Sequence, residues 1–149
     1  MTKEFLYNFI NKYTLTVLGT TDKNNKAQTA LVGFIVTPEL KIFFDTVKTS
    51  RKFKNLKINP NISFVFGWDN AQTVQYEGIA RHPDKSELDT LLQKYLEVFP
   101  DGKDRNVNWN DITYFVVDPK WVRYSDFIEP VKIKEINFDQ SNENQNSSA

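Results

Sequence analysis

The stretch Phe43-Phe44-Asp45-Thr46-Val47-Lys48-Thr49-Ser50-Arg51-Lys52 carries the strongest signal in the chain. A strand ends in Thr46, and a short helix is expected from Ser50 to Ile58, stopped by Asn59-Pro60. Lys48, Arg51, Lys52 and Lys54 crowd the start of that helix. A helix N-terminus is already positive, so each cation there costs ~0.3–1 kcal/mol. An anion seated at that end reverses the sign. Free N–H groups, the hydroxyls of Thr46 and Ser50 and the cations together make a phosphate cradle. The arginine grips two oxygens and the lysine acts as a point charge. The competing reading is a solvated basic helix face. Without a ligand, Arg51 and Lys52 are expected to be exposed. The strand–Thr–linker–Ser-Arg-Lys order favours the cradle.

Upstream, Phe5, Leu6, Phe9, Ile10 and Tyr13 form one apolar stripe, which predicts a helix over residues 2–12 with Thr2 as its cap. The period then changes to two. A first strand runs from Leu15 to Thr21, a turn occupies Asp22 to Lys26, and a second strand spans Ala27 to Val36. Thr37-Pro38-Glu39 turns the chain into a third strand through Leu40, Ile42, Phe44 and Thr46, so three consecutive strands are expected to form a meander. Downstream, Ile62, Phe64 and Phe66 mark a fourth strand. Val74, Tyr76, Gly78 and Ala80 mark a fifth, with Gly78 signalling a bulge or a close backbone approach. Asp84 and Glu87 have the spacing of a capping box, opening a helix with Leu88, Leu91, Tyr95 and Phe99 on one face. Residues 103–110 read as a polar loop. Ile112 to Val116 and Trp121 to Ser125 read as two strands separated by a turn at Asp118-Pro119, and Val131, Ile133 and Ile136 as an eighth strand.

The expected architecture is therefore α+β: six to eight antiparallel strands with flanking helices, in one domain over residues 1–136. Closure into a barrel removes the exposed edges that such a sheet would leave. Residues 137–149 read as a polar, mobile tail.

Composition narrows the function classes. The 149 residues include 19 basic and 19 acidic side chains, a balance that argues against a dedicated nucleic-acid binder. Cysteine is absent and His82 is the single histidine, which excludes thiol chemistry, cysteine-ligated metals and multi-histidine metal sites. His82 reads as a surface or hydrogen-bonded core residue. The longest apolar stretch, Ala30 to Val36, is far below a membrane span and is interrupted by Gly33. No targeting segment is visible at the N-terminus. A soluble cytoplasmic protein is expected. Aromatic residues reach 14%, enough to supply a β core or a ring-binding pocket. Trp68 and Trp109 fit either the wall of such a pocket or a core edge or dimer contact.

The order Phe44-Asp45-Thr46, Ser50-Arg51-Lys52, Asn55-Leu56, Asn59-Pro60, followed by Gly78-Ile79-Ala80 and Phe115 to Val122, resembles the pyridoxamine 5'-phosphate oxidase-like superfamily of flavin-binding split barrels. The short general-stress-protein branch is the most similar. The resemblance implies a homodimer of split barrels with FMN at the subunit interface and a small-molecule substrate. It places Thr46, Ser50, Arg51 and Lys52 at the FMN phosphate. It places the backbone of Thr29, Ala30, Leu31 and Val32 along the flavin ring, and brings Trp121 and Arg123 to the ring from the partner subunit. Gln75 fits either a flavin edge or a solvent-facing glutamine. A hydride or an electron pair would pass through the flavin, with no metal and no side chain marked as acid or base. The chain departs from pyridoxamine phosphate oxidases proper: Ser125-Asp126-Phe127 stands where an Arg-x-His substrate motif is expected, which argues against vitamin B6 oxidation. The alternative is a non-catalytic barrel that holds flavin, the deazaflavin coenzyme F420 or haem.

Overall fold

The computed structural model describes residues 1–139. Helix α1 (Thr2–Ile10) leads into β1 (Leu15–Thr21), β2 (Ala27–Gly33), β3 (Ile35–Val36) and β4 (Ile42–Val47). Helix α2 (Arg51–Ile58), β5 (Asn61–Phe66) and β6 (Gln72–Arg81) follow. Then come α3 (Lys85–Val98), α4 (Gly102–Asn108), β7 (Ile112–Asp126) and β8 (Lys132–Asn137). The strands form one antiparallel sheet in the order β2-β1-β5-β6-β7-β4-β3, with β8 added to β7. The two ends of that path, β2 and β3, are consecutive in the chain, so the sheet has to curl back on itself. The result is the expected α+β split barrel.

Alternation fills the inside. Leu18, Phe64, Tyr76 and Val122 point inward from successive strands and are buried with Phe34, Phe44, Phe66 and Phe115. Tyr76 brings a hydroxyl into this apolar space and donates it to the Leu40 carbonyl at 2.7 Å. Burial pushes its phenol well above the ordinary range, so it stays protonated and keeps donating. A second cluster, with Phe43, Leu91, Tyr95 and Val116, packs α3 against the other side of the sheet.

Five expectations need correction. The second strand does not run unbroken to Val36: Phe34 turns inward and packs 4.8 Å from Phe66, ring centre to ring centre, which separates β2 from β3. The three-strand meander therefore becomes two hairpins, β1–β2 and β3–β4, at opposite ends of the sheet. Residues 103–110 are not a loop, because α4 covers Gly102–Asn108, supported by Arg105–Asp101 and Asn108–Asp104 side-chain pairs at i,i+4 spacing. Asp118-Pro119 is no turn: β7 runs through it, with Pro119 opposite Gly78 where the β6–β7 register shifts and Lys120 is the extra residue on β7. A bulge is one of the few sheet positions that tolerates a residue without an N–H. Thr2 is not a cap, since the helix starts at Thr2 and Met1 precedes it without a side-chain cap.

Residues 137–139 likewise belong to the fold. Asn137 pairs with Trp121, Phe138 N–H donates to the Lys120 carbonyl, and Asp139 lies 3.6 Å from the Lys120 ammonium. The remainder of the expected tail, 140–149, lies outside the described residues. Two other expectations hold. The Asp84–Glu87 capping box is complete, and the turn over Asp22 to Lys26 forms, with Asn25 at φ 62°.

Glu87 also joins α3 to the sheet. Arg81 grips it through two bonds of 2.7 and 2.8 Å and reaches Asp118 at 2.7 Å. These bonds hold the Glu87 carboxyl at about 2, below its ordinary 4.5. A depressed carboxyl contributes stability above its ordinary value and loses it as pH falls toward the folded-state value. Urea midpoints should therefore fall between pH 4.5 and 2, and Glu87→Gln should flatten that limb.

Gly78 gives a sharper test of the bulge. A Cβ there would meet the Asp118 carbonyl and Val117 Cγ1, each at 2.6 Å, whereas one on Gly19 would meet only the movable Ser63 hydroxyl at 2.8 Å. Gly78→Ala should cost about 1–3 kcal/mol and Gly19→Ala much less, read as urea midpoints at unchanged slope.

Candidate functional site

At the end of β4 the chain leaves the sheet at Val47 and re-enters helix at Arg51. Ser50 sits between them in extended conformation, φ −72° and ψ 154°, and its Oγ accepts from the Phe53 N–H at 3.2 Å. The buried Thr46 Oγ1 lies 2.9 Å from the same oxygen. Two hydroxyls thus converge on the first turn of α2. That turn holds no acidic residue, so the helix itself supplies no counter-charge to its own end or to the two following cations. Arg51 is exposed, as expected. Lys52 is not: it is half-buried, and burial lowers its pKa while nearby Asp45 works in the opposite direction.

Lys52 lines two clefts that follow β2. The first, of about 130 Å³, lies between the start of α2 and β2 and brings Arg51 and Lys52 to Thr29 and Ala30. The second, of about 260 Å³, brings Lys52 and Thr46 to Leu31 and Val32, and is walled by Arg105, Trp109 and Ile112. Seven of the candidates therefore border two clefts that share Lys52 along the terminal strand of the sheet. Ser50 borders neither cleft; its hydroxyl is used in the cap.

Two supports of these clefts have no counterpart in the sequence reading. Asn55, buried on α2, donates to Thr20 Oγ1 at 3.0 Å and to Gln28 Oε1 at 2.9 Å, which ties the cradle helix to β1 and β2. Its place in the Asn55-Leu56 pair was the available signal. Asp45 accepts from the Tyr95 hydroxyl and from Arg105 Nε, both at 3.1 Å. Burial and this carboxylate push the Tyr95 phenol up. The same pair fixes α4, and with it the half-exposed Trp109, against the second cleft. Trp109 thus lines a cleft, one of the two readings open for it.

The remaining candidates lie on the outer face of the sheet. Pairing registers place Leu31, Val17, Val65, Gln75, Arg123 and Glu135 in one cross-strand row, from β2 to β8. The next row is Thr29, Gly19, Ser63, Glu77, Trp121 and Asn137. Small residues in the middle of the second row hollow the face into a trough of about 290 Å³ that Thr29, Gln75 and Trp121 share. Arg123 stands beside Gln75 and does not line it. A wider hollow of about 650 Å³ on the same face contains Thr29 and none of the cradle cations. His82 is exposed, stacks 4.6 Å from Phe115 and places Nδ1 3.0 Å from the Tyr114 carbonyl; none of these four clefts includes it. Among the described residues no helix is long and apolar enough to cross a membrane.

Comparison with solved structures gives the same fold. A haem-binding protein from Mycobacterium smegmatis superposes with a TM-score of 0.80 at 14% identity, over 92% of this chain and 58% of that one. The present chain thus spans little more than half of that relative. General Stress Protein 26 from Bacillus anthracis gives 0.69 at 19% identity over 91% and 98% of the two chains. HutZ, the haem storage protein from Vibrio cholerae, gives 0.66 at 19% over 77% and 87%. No curated protein sequence matches significantly. Residues 2–126 match the family model described as pyridoxamine 5'-phosphate oxidase. The match runs from the first helix to the end of β7, and the chain belongs to that family.

Proposed function

We propose that this protein binds FMN and serves as an oxidoreductase toward a small molecule other than a B6 vitamer. The observation that carries the reading is the uncompensated positive end of α2 opening onto a cleft along β2. Its donors suit a phosphate monoester: a guanidinium and a half-buried ammonium beside the free N–H groups of the first helical turn, with the Thr46 hydroxyl on the adjoining cleft. Arg51 and Lys52 would hold the phosphate. The β2 residues Thr29 to Val32 would carry the ring toward the second cleft, where Leu31 and Trp109 supply apolar walls and Thr46 a hydroxyl. Bound FMN supplies hydride or one-electron chemistry. The chain's contribution is to orient the ring and to exclude water on the Trp109 side. Asp45 is committed to Tyr95 and Arg105, so no free carboxylate stands ready there as a proton carrier.

A homodimer completes the site in this reading. The outer face bearing Gln75, Trp121 and Arg123 would close over the ring held by a second copy. The absence of cysteine fits a cytoplasmic setting.

Haem is the second reading, favoured by what two of the similar structures are said to bind. Against it, the four clefts contain no histidine, methionine or cysteine to ligate iron. F420 shares the phosphate and tricyclic ring, and the cradle does not separate it from FMN. The visible spectrum of the purified protein decides between these. A flavin band that bleaches with dithionite supports FMN, and a Soret band overturns it in favour of haem.

Two variants divide the site. Arg51→Ala with Lys52→Ala should weaken FMN binding at least about 100-fold, since charge-assisted bonds contribute ~1.5–3 kcal/mol each, and should leave riboflavin binding nearly unchanged. Trp109→Ala should weaken both flavins alike, by about tenfold, through lost ring contact. Fluorescence titration measures both, and unchanged FMN affinity in the double variant would remove the phosphate assignment.

A further inference from the structure

One cluster on the outer face has no part in the cradle. Trp121 Nε1 donates to Glu135, and Arg123 Nη2 donates to the same carboxylate at 3.3 and 3.5 Å. The Arg123 guanidinium lies 5.3 Å from the centre of the Trp121 ring. Arg123 Nε is buried with no hydrogen-bond partner among the described residues. Charge-assisted bonds usually run about 2.7–2.9 Å, so this guanidinium is neutralised without being well bonded.

The position of the cluster gives that neutralisation a consequence. Trp121 lines the trough, Gln75 lies between the trough and Arg123, and Glu77 stands beside Trp121 on β6. If Glu135 were uncharged, the rim would present a stacked tryptophan and an arginine whose Nη2 had lost its anionic partner. That is a second place for a phosphate, in competition with the cradle. The charged groups that face this rim are Arg123, Glu77 and Glu135, and their sum is negative only because β8 supplies Glu135.

We propose that Glu135 is a specificity-determining residue that keeps anions out of the trough and reserves the Trp121 face for an uncharged planar ring. This rests on the reading that the outer face meets the cofactor's ring. It gives the site a polarity: the phosphate end of a ligand is accepted at Arg51 and Lys52 and refused at Arg123. The sequence offers no local hint of this, because Glu135 and Trp121 are brought together only by the β7–β8 register.

The test needs no flavin, so a protein that fails to take up FMN leaves it standing. Trp68→Phe and Trp109→Phe make Trp121 the sole tryptophan, since the chain has three. Quenching of its fluorescence is then measured with iodide, an anion, and with neutral acrylamide at low ionic strength. Glu135→Gln, which still accepts from the indole N–H, should raise the iodide quenching constant about threefold, the effect of one unit charge at contact range in water. Acrylamide quenching should not change, and adding Arg123→Ala should return the iodide constant to its starting value. An unchanged iodide constant would overturn the proposal. So would iodide and acrylamide rising together, which is the signature of β8 detaching.

Discussion

A helix N-terminus followed directly by Arg51 and Lys52, with no acid in its first turn, is the constraint on which the candidate site depends. The arrangement is unfavourable alone. The helix end repels both cations, and burial of Lys52 adds a desolvation cost visible in its lowered pKa. Asp45 offsets part of that cost but is shared with Arg105 and Tyr95. The fold keeps the geometry rigid nonetheless. Ser50 caps the helix, Thr46 meets Ser50, and Asn55 ties the helix to β1 and β2. Rigidity at an electrostatically unsatisfied spot is what a preorganised anion site requires.

The barrel's topology puts that spot beside a usable wall. Because β2 and β3 are consecutive yet lie at opposite ends of the sheet path, curling the sheet brings β2 near β4 and the start of α2. A meander would have filled that gap with a β2–β4 ladder. The inward turn of Phe34 prevents it and leaves a cleft instead. The same alternation that sends Leu18, Phe64 and Tyr76 into the core sends Gly19, Ser63 and Glu77 outward, so the trough and the core are two faces of one pattern.

What the sequence made legible was local. The β4–α2 junction compresses strand end, cap and cations into seven residues, and the Asp84–Glu87 box is a three-residue spacing. Gly78 announced its bulge. What stayed hidden was set by distant partners. Pro119 reads as a turn until Gly78 is seen to give way opposite it. Helix α4 lacks an apolar stripe and is held by polar pairs and by Asp45, about sixty positions upstream of Arg105. Trp121, Arg123 and Glu135 become one cluster only through strand register, which a one-residue slip would abolish.

The affinity ratio of FMN to riboflavin for the unmodified protein tests the central claim most directly, because the two ligands differ only by the phosphate. If the α2 end is an anion seat, FMN should bind at least about tenfold more tightly at low salt, with the gap narrowing as salt rises. Equal affinities, or a ratio indifferent to ionic strength, would contradict the account.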